Sequence, residues 1–156
     1  MVFPNGLSLS KDQRFFVFTE AGRLRRYWLK GDKAGTSDVF AVLTGSPDNV
    51  RANGKGEFWV AIQGFHNRLT LYSAANPKFR LFTLRLPVPE KWWWIYRMGR
   101  PPGGIAVKYS AEGELLWVLE DEGGEVVRLM SQVHEQDGKL WMGSVLLSHM
   151  AVHDLP

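Results

Sequence analysis

The residues whose types and spacing could do chemistry are Asn5, the pair Asp48-Asn49, and Ser131. Asn5 precedes Asp12 by seven positions, Asn49 precedes Gly56 by seven, and Ser131 precedes Gly138 by seven. Each of these starting residues opens a short apolar run, and each run ends in a turn. A polar residue recurring at one place in three successive units predicts a repeat architecture, with the three side chains aimed into a shared space. Such a cluster would hold a polar ligand. Taken singly, the same residues have plainer roles. Asn5-Gly6 is a turn dipeptide, Asp48-Asn49 after Pro47 suits a tight turn or an Asx cap, and Ser131 is a small residue that could line a channel.

The elements that must position them read as strands. Asn5–Ser10 alternates apolar and small polar residues, the period of a half-buried strand. Arg14–Thr19 is β-branched and aromatic, Arg23–Leu29 follows a Glu-Ala-Gly turn, and Ser37–Leu43 follows a Gly-containing loop. Four strands in this span form a meander the size of one propeller blade. A second unit opens at Pro47, with strands expected at Asp48–Asn53, Glu57–Ile62, Gly104–Ser110 and Glu114–Leu119. A third follows the acidic turn Glu120–Glu125, with strands expected at Val126–Val133, Lys139–Val145 and His149–Leu155 and no fourth. The fold class is therefore all-β: three propeller blades, about 3–43, 47–119 and 126–156, read as part of a ring.

The second unit is interrupted between Gln63 and Gly103, which does not read as strands. Pro77 followed by Phe79, Phe82 and Leu86 predicts one helix, and Pro89 through Gly99 repeats the pattern of Pro at the start and Gly after the end. In an up-and-down blade this insertion leaves on the same face as Asn5, Asp48-Asn49 and Ser131. A polar cluster with a helical cap above it is the arrangement of a ligand site with a lid. Trp92-Trp93-Trp94 stands in that cap. Three adjacent indoles cannot all face inward on one helix. They suit a packed cap with one exposed ring, a substrate-facing wall, or a membrane-interface anchor flanked by Lys91 and Arg97. His66 and His149 fall in connections, whereas His134 and His153 fall in expected strands.

Composition narrows the classes. The chain has 156 residues, 45% hydrophobic and 22% charged, with a net charge of +3, which is a globular composition. Its basic residues are scattered; the densest group, Arg23, Arg25 and Arg26, suits a solvated strand face, so no nucleic-acid partner is expected. The absence of cysteine excludes a thiol nucleophile, a disulfide frame and a zinc-cysteine site. No apolar run reaches the roughly 18 residues that a membrane span needs. Met1-Val2-Phe3-Pro4 does not read as a signal peptide.

Residues 3–6 (Phe-Pro-Asn-Gly), 26–36, 47–51 (Pro-Asp-Asn-Val-Arg), 56–61 and 134–144 together resemble the C-terminal half of a plant strictosidine synthase-like protein. The resemblance covers nearly the whole chain. It implies a six-bladed β-propeller related to the calcium-dependent paraoxonases and the adipocyte plasma membrane-associated protein, and three of six blades matches the count above. By the same resemblance Asn5, Asp48 and Asn49 are calcium ligands, and calcium's preference for six to eight oxygen ligands suits them. The catalytic Glu of strictosidine synthase falls at Ser131, and a hydroxyl of high pKa cannot replace a carboxylate base. Condensation of tryptamine with secologanin is therefore not expected. Some relatives carry a His just after the second strand of the middle blade, where this chain has Gln63, with His66 three residues on.

The resemblance implies a metal-dependent hydrolase acting on an ester, lactone or related bond of a small-molecule substrate. The alternatives are a non-catalytic binding or membrane-peripheral propeller, with contact through the cap, and an alkaloid-type condensation enzyme. It also implies the secretory pathway, in vacuole or endoplasmic reticulum. Three blades alone would leave apolar sheet faces open, which predicts a homodimer that completes the ring, or aggregation.

Overall fold

The fold is given by a computed structural model that describes residues 4–65, 68–89, 92 and 103–155. Its first sheet is a meander of β1 (Leu7–Leu9), β2 (Phe15–Glu20), β3 (Arg23–Trp28) and β4 (Ser37–Val42), hydrogen-bonded in that order. The second sheet repeats the pattern with β5 (Gly45–Ala52), β6 (Phe58–Phe65), β7 (Gly104–Tyr109) and β8 (Leu115–Asp121). The third holds β9 (Met130–Gln136), β10 (Lys139–Ser144) and β11 (Ala151–Asp154). Every pairing is antiparallel. Between β6 and β7 the described residues include two helices, α1 (Arg68–Ala75) and α2 (Pro77–Arg85). The only described residue of the tryptophan triplet is Trp92.

The second sheet is buried on both faces at β6, whose alternation shows how. Phe58, Val60 and Ile62 of β6 face the first sheet, where they meet Phe15, Val17, Leu24 and Phe40. Trp59 and Ala61, the residues between them, face the third sheet and meet Val133, Leu140 and Met142. A period of two in a continuous apolar run thus serves two cores at once. Edge-on aromatic contacts tighten the first core: Phe15 meets Trp28 at 5.2 Å and Phe40 meets Phe58 at 5.5 Å between ring centroids. Tight turns set the registers. Asp137 and Gly138, with φ of 52° and 71°, form the two-residue connection from β9 to β10 that a right-twisted hairpin favours.

Several expected boundaries move. The middle sheet's second strand does not stop at Ile62; it continues through Phe65, so Gln63 lies inside β6 and not after it. The third unit's first strand starts at Met130, not at Val126. The Asp121 carboxylate accepts hydrogen bonds from the backbone amides of Glu125, Val126 and Val127 at 3.2, 2.7 and 2.9 Å, and this holds the stretch as a turn. Leu129, at φ 45°, then breaks the extended path. Within 63–103, the helix expected from Pro77 is present as α2, while α1 is an additional helix that was not expected. The helix expected over residues 89–99 lies outside the described residues, apart from Pro89 and Trp92.

Candidate functional site

Each sheet brings one polar position to a common place, and two of the three do so by breaking their own ladder. In β5, Pro47 pairs with Ile62 and Val50 with Val60, so three steps on β5 oppose two on β6. The extra residue is a bulge at Asp48-Asn49. Pro47 has no N–H to give the ladder, and a strand proline marks an edge or a bulge. In β9, Gln132 pairs with Gly143 and Met130 with Ser144, which makes Ser131 the extra residue. Bulges re-aim side chains, and here they bring Asp48 and Asn49 to the backbone of Ser131.

Asn5 joins them from the segment ahead of β1. Its side-chain amide donates to Asp48 Oδ1. The Asn49 amide lies 3.4 Å from the same oxygen and donates to the Ser131 backbone carbonyl at 2.9 Å. The Ser131 hydroxyl donates to the Gly143 carbonyl at 3.3 Å. Behind the cluster, the buried Thr19 hydroxyl donates to the Asp48 backbone carbonyl at 2.8 Å, and the Gly6 amide donates to that carbonyl at 3.2 Å. Gly6 is required there. A Cβ on it would sit 2.5 Å from Asn49 Cα and 2.7 Å from the Val50 nitrogen. Removing the side chain lets the first sheet touch the backbone that carries the site.

Asp48 is buried. Burial pushes its carboxyl above the usual aspartate range, and the bond from Asn5 offsets only part of that. A buried carboxylate that is only partly compensated is neutralised by a proton or by a counter-charge. Asp48 with the side-chain oxygens of two amides is an all-oxygen donor set with one formal negative charge. That set fits a hard cation such as calcium in kind, and in number it falls short of the six to eight oxygens such an ion takes. Among the described residues no group of three or more His, Cys, Asp or Glu side chains gathers as a metal site.

The other singled-out residues divide. Trp92 is exposed. His66, Trp93 and Trp94 lie outside the described residues. His134 is in β9 and His153 in β11, as expected, and His149 precedes β11 in an exposed turn.

A second polar cluster, between the second and third sheets, had no counterpart among the expected site residues. Glu135 Oε2 accepts from Trp59 Nε1 at 2.6 Å and from Asn53 Nδ2 at 3.0 Å. Asn53 Nδ2 also donates to Glu57 Oε2 at 2.8 Å, and Lys108 Nζ lies 3.2 Å from Glu57 and 3.9 Å from Glu135. The Lys108 ammonium sits over the rings of Trp59 and Trp117 at 5.2 and 5.5 Å. Burial alone would raise both carboxyls. For Glu135 the bonds from Trp59 and Asn53, and for Glu57 those from Asn53 and Lys108, outweigh it and hold each below the usual range. Every donor has a partner, so the cluster is a clasp between sheets. Nothing local in the sequence marks it, since Glu135 meets Asn53 and Trp59 across 82 and 76 positions.

No protein-family model matches the chain. Among curated proteins it is 56% identical over 156 residues to strictosidine synthase-like 3 of Arabidopsis thaliana, matching 99% of this chain and 40% of that protein. It is 43% identical to strictosidine synthase-like 10 of the same plant, over 99% of this chain and 42% of that protein. The adipocyte plasma membrane-associated protein of Bos taurus is 31% identical over 153 residues, matching 91% of this chain and 35% of that protein. Among solved structures, a gluconolactonase of Xanthomonas campestris superposes with a TM-score of 0.55 at 13% identity, over 92% of this chain and 35% of the other. A calcium-binding protein, regucalcin, of Agrobacterium tumefaciens gives 0.54 at 14% identity, over 94% and 40%. At these identities the structural likeness carries the fold, which is of the propeller type. The chain is therefore a homologue of the strictosidine synthase-like proteins, and it spans about two fifths of the length of those it matches most of.

Proposed function

We propose that this chain supplies part of the axial metal site of a six-bladed, strictosidine synthase-like hydrolase acting on an ester, lactone or related bond. The convergence of Asn5, Asp48 and Asn49 carries the proposal: residues from two sheets meet around one buried carboxylate, tied by Asn49 to Ser131 of a third. In this reading Asp48 contributes the charge and one ligand oxygen, and Asn5 and Asn49 contribute amide oxygens. Bound calcium would supply Lewis-acid polarisation of the substrate carbonyl or of a water. Ser131 holds Asn49 through its backbone carbonyl and spends its hydroxyl on Gly143, so it lines the site without acting as a base. Three blades would be half of the ring, with the remaining ligands on the other half, and the insertion carrying α1 and α2 would cap the site.

Calcium titration by calorimetry tests this. Binding in the roughly millimolar range of weak sites, lost in Asp48→Ala, is the expected result. Unchanged binding in that variant would refute the assignment, as would lack of any lactone or aryl-ester hydrolysis by a calcium-loaded longer form that contains this chain.

A further inference from the structure

The two helices between β6 and β7 are turned inside out. Among the described side chains of α1 the buried one is Ser73, while Leu71 and Tyr72 are each 55% exposed. In α2 it is Thr83, while Leu81, Phe82 and Leu84 are 51%, 61% and 62% exposed. Both of these buried residues carry a hydroxyl, and these five large apolar residues face outward. Water is the wrong solvent for that arrangement, and an apolar patch of this extent marks an interaction surface. The helices lean on each other through Tyr72 and Phe79, whose rings meet edge-on at 5.1 Å.

The charge around the patch says what covers it. Arg68, Lys78, Arg80 and Arg85 are all exposed. No acidic residue occurs between Glu57 and Glu90. Helices that expose leucines and phenylalanine and whose charged residues are all basic repel a second copy of themselves and complement a negative surface. No described helix is long and apolar enough to cross a bilayer. An element with apolar residues outward, bases around them and insufficient length to span is suited to lie in the interface of an anionic membrane. Trp92, exposed just beyond α2, is of the residue type that favours the headgroup level.

We propose that α1 and α2 form a membrane-docking surface that seats in the headgroup region of a bilayer containing anionic lipid. This rests on the helices alone and is independent of the metal site. Flotation of the 156-residue chain with vesicles of phosphatidylcholine, with and without phosphatidylserine, tests it. The chain should partition onto the phosphatidylserine vesicles, and high salt should weaken the binding. Each base removed should cost about fivefold, so the triple variant Lys78→Gln, Arg80→Gln, Arg85→Gln should bind roughly 100-fold more weakly. The triple variant Leu81→Ser, Phe82→Ser, Leu84→Ser should lose binding altogether. Both sets lie on exposed positions and should leave the circular dichroism spectrum and unfolding temperature unchanged. Absence of binding to anionic vesicles overturns the proposal, as does equal binding to neutral ones or indifference to both variants. Light scattering that shows a dimer dissociated by the serine variant would assign the patch to a second copy instead, and overturn it equally.

Discussion

Asn49 in β5 donates its side-chain amide to the backbone carbonyl of Ser131 in β9, 2.9 Å away, and so ties two neighbouring sheets at their bulges. The same amide nitrogen lies 3.4 Å from the Asp48 carboxylate. Asn49→Leu removes both contacts and leaves a part-buried carbonyl without its donor. It should lower stability in urea unfolding by about 1–3 kcal/mol. A loss below a few tenths would mean that the tie is not formed in solution.

Asp48 gives a pH dependence of unusual sign. Its folded-state pKa is raised, chiefly by burial. The folded state therefore holds the proton more tightly than the unfolded state, and stability falls as pH rises through the folded pKa. Asp48→Asn cannot ionise. In metal-free buffer at neutral pH it should be at least as stable as the parent, with the gap closing as pH drops below the ordinary aspartate value of about 3.9. Calcium should reverse the order by stabilising only the parent. A less stable Asp48→Asn at neutral pH, without cation, would contradict the burial argument.

Glu135 works in the opposite direction. Burial would raise its pKa, but bonds from Trp59 and Asn53 and the nearby Lys108 charge lower it overall. Its contribution is present above the unfolded glutamate pKa of about 4.3 and is lost as pH falls through the lower folded value. Glu135→Gln keeps the shape and should flatten that acid limb of the stability curve. Glu135→Ala also strands the indole N–H of Trp59 and should cost about 2–3 kcal/mol by chemical unfolding. An acid limb unchanged in Glu135→Gln would place the titration elsewhere.

Gly6→Ala tests the contact between the first sheet and the site. The new methyl would meet backbone atoms of Asn49 and Val50 inside 3.0 Å, and backbone cannot swing aside as a side-chain tip can. A cost of about 1–3 kcal/mol is expected, together with weakened calcium binding, because the displaced strand is the one that carries Asp48. Thermal melting and calorimetry on one preparation read both. Full affinity in a destabilised variant would separate Gly6 from the site.

The sequence revealed the parts of the fold where local and global demands agree. Phe58 through Ile62 is a short apolar run rich in aromatic and β-branched residues that starts after the Asn53–Gly56 turn, which reads as a strand, and it serves two cores. The recurrence of Asn5, Asn49 and Ser131 pointed to a shared place because each opens a run that reaches a turn seven positions on. Other features were hidden for physical reasons. Val126 and Val127 look like strand residues, but the Asp121 carboxylate holds their amides in a turn, and side-chain capping overrides propensity. α1 escaped notice because its outward face carries leucine and tyrosine and its inward face serine, the reverse of the pattern that signals a packed helix. The Glu135 clasp depends on residues brought together only by tertiary structure, and no spacing rule reaches that far.

The bulge at Asp48-Asn49 has a counterpart directly across the ladder. Between Ser46–Gly64 and Pro47–Ile62 the additional residue is on β6, at Gln63, and between Pro47–Ile62 and Val50–Val60 it is on β5. The two insertions cancel, so Gly45 still meets Phe65 and Ala52 still meets Phe58. The bulge at Asp48-Asn49 is thus a detachable insertion. Loss of one residue from each strand would leave an uninterrupted ladder and intact cores without the bulge that holds the pair. Paired single-residue deletions or insertions would remove or restore the bulge, while a lone one shifts the end of the strand by one place and turns its side chains to the wrong face.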